Sequence, residues 1–308
     1  MILNYKNRYH RLNKVLKIKN FENPLPGVLV IKKIKLYRKL QSSVFNFLKQ
    51  NLKIAFPNES FGDNKNFLEN YHKFITKLPN KTPNGLLLFQ KETQNEYNVM
   101  HNFFSKFICQ YLNFENIGYL HLPINCRISD GGEFTNDNRP RASSKWHIDV
   151  WAGEPIDSFL MFLPILGSCE SSTVRYNDYL VEKSLLIEQK DYANNNIEGK
   201  TKNFYDLQDK TFVLTDSLVY HQTQKKKSSL RISLDCRALY KEKFNYENQR
   251  NLVRTKNYFD IGTWNSINNK KKIITDYSFQ NIEKRKKSFK IKSVDSSYPL
   301  EFKLINKL

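Results

Sequence analysis

Cysteine is scarce: four in 308 residues, Cys109, Cys126, Cys169 and Cys236, with no Cys-x-x-Cys pair among them. That spacing argues against a thiolate metal cluster and against the disulfide framework of a small secreted domain. Glycine and proline number ten each, which excludes a collagenous or low-complexity chain. No run approaches the ~18 apolar residues of a membrane-spanning helix. The stretch MILNYKNRYHRLNKVLKIKN is broken by Lys, Arg and Asn and lacks the apolar segment of a signal peptide. A soluble, cytoplasmic protein is the expectation. Acidic residues are few, 30 against 50 Lys and Arg, for a formal charge of +20. Such an excess suits polyanions, whose condensed counterions it releases. No zinc-finger spacing or RNA-binding signature accompanies it, and Lys far outnumbers Arg in a chain also rich in Asn, Ile, Tyr and Phe. A general compositional bias accounts for the charge, so nucleic acid is not the expected partner.

What is present is a core. Hydrophobic residues make up 40% of the chain and aromatics 14%, enough for a packed domain. Leu36, Leu40, Val44, Phe47 and Leu48 fall at helical spacing between Lys35 and Leu52. Phe67, Leu68, Tyr71, Phe74, Ile75 and Leu78 repeat it before Pro79. Met100, Phe103, Phe104, Phe107, Ile108 and Tyr111 form an aromatic stripe, read as a helix face packed on a core. After about Asn113 the period changes to two. Strands are predicted at Gly118–Ile128, Lys145–Trp151, Ser158–Pro164, Ser172–Tyr176, Ser184–Gln189, Thr211–Thr215, Leu218–Thr223 and Ser229–Arg237. Many short strands with turn signals between them predict a sandwich or barrel-like β core. The expected organisation is α+β: a helical region over 1–112, a β core over 113–240 and a basic extension over 241–308. The charge run EKRKKSFKIKS in the extension is read as a solvated face or tail.

Chemistry concentrates in two stretches. In KWHIDVW, His147 and Asp149 share one strand face while Trp146, Ile148 and Val150 occupy the other. In FVLTDSLVYHQTQKKKSSLRISLDCR, His221 ends an apolar strand. Arg231, Ser233 and Asp235 then share a face of the next one. Two imidazoles and one carboxylate on one side of an ion leave further coordination positions open, the facial triad of non-heme iron oxygenases. A guanidinium deep in such a pocket can hold a distal carboxylate in a two-pronged pair. An Arg–Asp pair with Asp235 or Asp216 is the plain structural alternative for Arg231, and a surface ion pair is the one for His147 and Asp149. Tyr119, His121, Asn125 and Arg127 share a strand face, which is either pocket wall or solvated surface. Trp151 either walls a cavity or packs. Thr223 lies two residues beyond His221, and Asp216 is placed in the turn before the His221 strand. His10, His72, His101 and His121 have no metal spacing.

These residues resemble the iron(II)- and 2-oxoglutarate-dependent dioxygenases. The pattern is His-x-Asp, a long gap, a distal His and an Arg ten residues on in Arg-x-Ser: His147, Asp149, His221, Arg231 and Ser233. The resemblance spans about Ile117 to Arg237 and is nearest the phytanoyl-CoA dioxygenase-like group. It implies a double-stranded β-helix (jelly-roll or cupin-like) core with an N-terminal helical layer. It implies iron(II) on His147, Asp149 and His221, and the C5 carboxylate of 2-oxoglutarate on Arg231 and Ser233. Thr223, Asn125 and Arg127 become candidate cosubstrate contacts, and Trp151 a candidate wall of the substrate pocket. The implied partners are O2, 2-oxoglutarate and a small-molecule substrate, carbohydrate-like or another biosynthetic intermediate, hydroxylated with release of succinate and CO2. Two rivals use the same residues differently: a cupin-like metal enzyme without 2-oxoglutarate, and a non-catalytic β-sandwich binding an anionic polymer. A protein or RNA substrate for the same chemistry is supported by the charge alone.

Overall fold

The computed structural model describes residues 5–34, 37–62, 66–88, 90–121, 123–131, 137–170, 172–186, 189–195, 197, 203–226, 230–241 and 258–260, and the backbone of 288–292 and 299–303. It is a mixed fold of helices and antiparallel sheet. The helices are α1 (Tyr5–Lys14), α2 (Tyr37–Ala55), α3 (Phe67–Asn70), α4 (His72–Thr76) and α5 (Gln94–Tyr111). The first eight strands are β1 (Glu22–Leu25), β2 (Val28–Ile31), β3 (Leu86–Leu87), β4 (Ile117–His121), β5 (Asn125–Asp130), β6 (Ser158–Gly167), β7 (Ser172–Asn177) and β8 (Phe204–Asp206). They are followed by β9 (Phe212–Asp216), β10 (Tyr220–Lys225), β11 (Leu230–Tyr240) and β12 (Tyr258–Asp260). Ser288–Lys292 and Pro299–Lys303 pair as a separate two-stranded ribbon, β13 and β14, within the basic extension. The start of the EKRKKSFKIKS run, like Leu36, lies outside the described residues.

A large sheet runs β1-β2-β9-β6-β11-β4-β12, with β5 also on β11 and β3 on β5. A three-stranded sheet runs β10-β7-β8. Period-two alternation divides the two long central strands of the large sheet. Phe159, Met161, Leu163 and Ile165 of β6, with Ile232, Leu234, Cys236 and Ala238 of β11, join the core under the helices. Leu160, Phe162, Arg231, Asp235 and Arg237 turn the other way, into a cavity that the three-stranded sheet also lines through Val174, His221 and Thr223. The aromatic stripe of α5 packs as expected, with Phe104 and Phe107 fully buried and Phe107 edge-on to Phe212 of β9 at 5.0 Å.

Several elements depart from the sequence reading. The Phe67–Leu78 helix is two short helices broken at Tyr71, whose single turns leave no room for a continuous stripe. Gly118–Ile128 is two strands, because the Pro123 segment interrupts the ladder to β11. Ser184–Gln189 is no strand over its first residues: Lys183–Leu185 forms a 3-10 turn. Residues 22–31, read with a helical region, form a hairpin that extends the large sheet through β2–β9 pairing. The predicted strand Lys145–Trp151 reduces to a single bridge, His147 to His221, followed by a 3-10 turn over Asp149–Ala152. Gly153 stops that turn at φ 87°, a left-handed conformation that favours glycine.

Helix α1 is attached by charge more than by apolar area, since it buries only Arg8 and Leu12. Arg8 Nη2 donates to Asp216 Oδ1 at 2.9 Å with both side chains buried. Asp216 Oδ1 also accepts from the backbone N–H of Leu218 at 3.0 Å. It thus closes the turn that launches β10 and His221, as expected of it. Burial pushes the His101 imidazole of α5 from 6.5 down to about 3. The unfolded chain takes up this proton as pH falls through about 6.5, and the folded chain does not. The associated stability is complete above that pH and is lost toward pH 3, by up to ~1.4 kcal/mol per pH unit. Urea unfolding at pH 7 and pH 5 should therefore show a smaller loss in His101→Leu than in the wild type. Equal losses would contradict this.

Candidate functional site

The cavity between the two sheets has a volume of about 310 Å³, at the lower end of the range for small-molecule sites. Two larger surface clefts, beside Lys33 and Lys210 and beside Lys53 and Phe61, are more open and hold no imidazole or Asp. His147 and His221 meet at one wall of the cavity. Their backbones exchange both hydrogen bonds, at 3.0 and 2.9 Å, and their ring centroids stand 4.4 Å apart. The Nδ1 of His147 lies 2.8 Å from the Lys145 carbonyl, and that of His221 3.0 Å from the Val219 carbonyl. A carbonyl can only accept, so each Nδ1 carries a proton and each Nε2 is the ring nitrogen left to face a metal. Burial, then the neighbouring His221, brings His147 down to about 3, so it is neutral at pH 7. Tyr192 stacks on His147 at 4.8 Å with the planes 3° apart.

Asp149 sits at the start of the 3-10 turn and is 2% exposed. Burial alone would raise its carboxyl pKa. Arg237 and then His221 outweigh burial and hold it well below the usual carboxylate range. Its Oδ1 accepts from Arg237 Nη2 at 2.7 Å and lies 3.9 Å from His221 Nε2. Two donors about 2.1 Å from one ion at right angles would be about 3 Å apart. The pair is thus wider than a closed site, and no group of three His, Cys, Asp or Glu among the described residues stands at metal-holding distance as the side chains lie. The donor set nonetheless suits a divalent metal. It comprises two imidazoles, each with Nδ1 against a backbone carbonyl, and an ionised carboxylate on one wall, at a cavity.

Arg231 lies farther along the same face of β11. It is 1% exposed and rests over Phe162, 5.2 Å from the ring centre. Its Nη1 donates to the Ser172 carbonyl, and its Nε has no partner. Neither aspartate of the structural alternative is paired with it: Asp216 is taken by Arg8 and Asp235 by Arg127. Burial lowers the Arg231 pKa from its ordinary value. Across the ladder, Gly167 faces Arg231 at φ 80°, and a Cβ there would fall 2.0 Å from the Leu230 carbonyl. Only glycine fits. The irregularity in β6 beside Pro164 is held by α2, since Tyr37 Oη donates to the Pro164 and Ile165 carbonyls and Gln41 to Ile165.

The remaining sequence candidates divide. Thr223 lines the cavity. Asn125 and Arg127 also line it, but both donate to Asp235, at 2.7 and 2.8 Å. Ser233 is fully buried with an unpartnered hydroxyl and is not part of the cavity surface. Trp151, proposed as a wall, is instead fully buried in an apolar cluster with Trp146, Ile148 and Val150, its Nε1 donating to the Leu185 carbonyl. The 3-10 turn removes the strand alternation that would have aimed it at the cavity. His121, set aside on spacing, lines the cavity. Arg237, Tyr192, Arg139 and Arg141 also line it and were not singled out. Only Arg237 had a sequence signal: it continues the Arg231, Ser233, Asp235 alternation by one step.

No protein-family model matches this chain, and no curated protein matches it. Among solved structures it is similar to a non-heme alpha-ketoglutarate-dependent carbocyclase, SnoK, from nogalamycin biosynthesis. That match has 8% identity and a TM-score of 0.38 over 76% of this chain and 83% of the other. The epimerase SnoN of the same biosynthesis matches at 7% identity and TM-score 0.35, over 82% and 90%. EctD from S. alaskensis, solved with 2-oxoglutarate and 5-hydroxyectoine, matches at 12% identity and TM-score 0.33, over 69% and 72%. At these identities and TM-scores, the side chains of the cavity decide what the site can do.

Proposed function

We propose that this chain is an iron(II)- and 2-oxoglutarate-dependent oxygenase of a small-molecule substrate, of the phytanoyl-CoA dioxygenase-like kind, with a double-stranded β-helix core. One observation carries the reading. Two imidazoles that turn Nδ1 to backbone carbonyls and an ionised Asp149 stand at one end of a cavity, and a buried guanidinium without a carboxylate partner among the described residues stands at the other. A buried cation is costly unless something anionic reaches it. The vacant Nε of Arg231 suits the far carboxylate of a dicarboxylate, and the Ser233 hydroxyl, off the cavity surface as the side chains lie, would join it by a local shift.

In this assignment His147, Asp149 and His221 hold iron(II), and Arg231 with Ser233 holds the C5 carboxylate of 2-oxoglutarate. Bound there, iron and 2-oxoglutarate would supply, with O2 as the oxidant, hydroxylation of a C–H bond coupled to oxidative decarboxylation of the cosubstrate to succinate and CO2. The chain supplies position and dryness. Leu160, Phe162 and Val174 present apolar surface in the cavity, which strengthens the Arg231–carboxylate attraction by excluding water. Tyr192 covers His147 and fixes its ring plane. Thr223 is placed for a cosubstrate contact, whereas Asn125 and Arg127 act through Asp235.

Thermal melting tests the assignment. Mn(II) and 2-oxoglutarate together should stabilise the chain more than either alone, by about 2.7 kcal/mol at a hundredfold excess over Kd. His221→Ala should remove the joint effect. Stabilisation by Mn(II) with none from 2-oxoglutarate would favour a metal enzyme of another class.

A further inference from the structure

Arg237 makes the shortest charged contact to the candidate metal site, and its surroundings are unusual. Three carboxylates face this one guanidinium: Asp149 at 2.7 Å, Glu154 at 3.7 Å and Asp235 at 3.8 Å. All three are nearly or fully buried, and Arg237 itself is 8% exposed. Glu154 is anchored from behind by Tyr258, whose hydroxyl donates to Oε2 at 2.8 Å. Asp235 is anchored by Arg127 and Asn125. The guanidinium thus has carboxylates at ion-pair range on two sides, with no hydrogen bond at Nε, and makes its short contact through Nη2 to Oδ1 of Asp149.

We propose that Arg237 is a positioning residue for the metal carboxylate: it holds Oδ1 of Asp149, the oxygen 3.9 Å from His221 Nε2, and so fixes the carboxylate's orientation beside the imidazole pair. The inference rests on the oxygenase reading of the same site. A carboxylate held in one orientation binds an ion through one oxygen rather than both, which keeps coordination positions open for a bidentate cosubstrate and dioxygen. Without the guanidinium, Asp149 would turn freely and would share a buried space with two further anions. A lysine keeps the charge but not the planar fork that spans several carboxylates. The grip also gives β12 a part in the site. Tyr258 pairs with His121 of β4, so this edge strand connects to Asp149 through Glu154 and Arg237.

Anaerobic Co(II) titration of the 308-residue chain, read by calorimetry and by the visible spectrum of the bound ion, tests this. Arg237→Met should weaken Co(II) binding by roughly 10- to 100-fold, the usual penalty for losing a partner of a metal ligand. It should also change the spectrum, as Asp149 is released to bind through both oxygens. Arg237→Lys, which preserves charge and most of the volume and guards against a misfolded Met variant, should fall between wild type and Met. Wild-type affinity and spectrum in both folded variants would overturn the role of Arg237 and leave the oxygenase reading standing. A wild-type chain that takes up no Co(II) would overturn both.

Discussion

Replacing Asp149 with alanine is expected to abolish useful metal binding while the chain stays folded. Asp149 is the anionic member of the candidate donor set and is held ionised by Arg237. By comparison with the per-ligand share in a four-ligand structural zinc site, losing one of these three ligands should cost at least about 3 kcal/mol, or roughly 10²-fold or more in affinity. The fold should survive because Arg237 keeps Glu154 and Asp235 as counter-charges. Asp149→Asn should behave almost as badly, since it keeps the shape and loses the charge. Calorimetric titration with Mn(II) or Co(II) measures the effect directly. Metal affinity equal to wild type in Asp149→Ala would remove this residue from the site.

Arg231→Met should move stability and ligand binding in opposite directions. The wild-type guanidinium is buried against Phe162 with one carbonyl acceptor and no carboxylate among the described residues. Exchanging such a charge for a well-packed apolar side chain stabilises the empty protein by on the order of 1–4 kcal/mol. The same exchange would remove the proposed partner of the cosubstrate's distal carboxylate, an expected loss of about 2–5 kcal/mol, or roughly 30- to several-thousand-fold in affinity. Urea unfolding without 2-oxoglutarate measures the first effect. Calorimetry with 2-oxoglutarate and Mn(II) measures the second. A residue kept for structure would give lower stability and unchanged binding, the reverse on both counts.

The parts of this molecule legible in sequence are those where one periodicity dominates. The aromatic stripe of α5 and the alternation of β11 were readable because each buries a single face over many turns or residues. The spacing from His221 to Arg231 was readable because both lie on regular strands. Helix α1 was not, since Arg8 and Leu12 are its only buried residues and its attachment is ionic. The 22–31 hairpin carries Pro26-Gly27 as a turn signal, but four-residue strands leave too short a pattern to compete with the helical stretches around them. Trp151 was misplaced by extending strand alternation past Asp149, where a glycine-stopped 3-10 turn takes over. Glu154, Tyr192 and Tyr258 reach the site through tertiary contacts with no local signature. Arg237 needed only one more step along a strand already drawn.

Anaerobic titration of the iron(II)-loaded chain with 2-oxoglutarate, followed by visible absorption, tests the central claim most directly. If His147, Asp149 and His221 hold the iron as proposed, chelation of 2-oxoglutarate there would give a metal-to-ligand charge-transfer band. The band should saturate at one equivalent per chain, be absent in Asp149→Ala, and require far more 2-oxoglutarate in Arg231→Met. A wild-type chain that binds iron and develops no band at any 2-oxoglutarate concentration would contradict the assignment of the cavity.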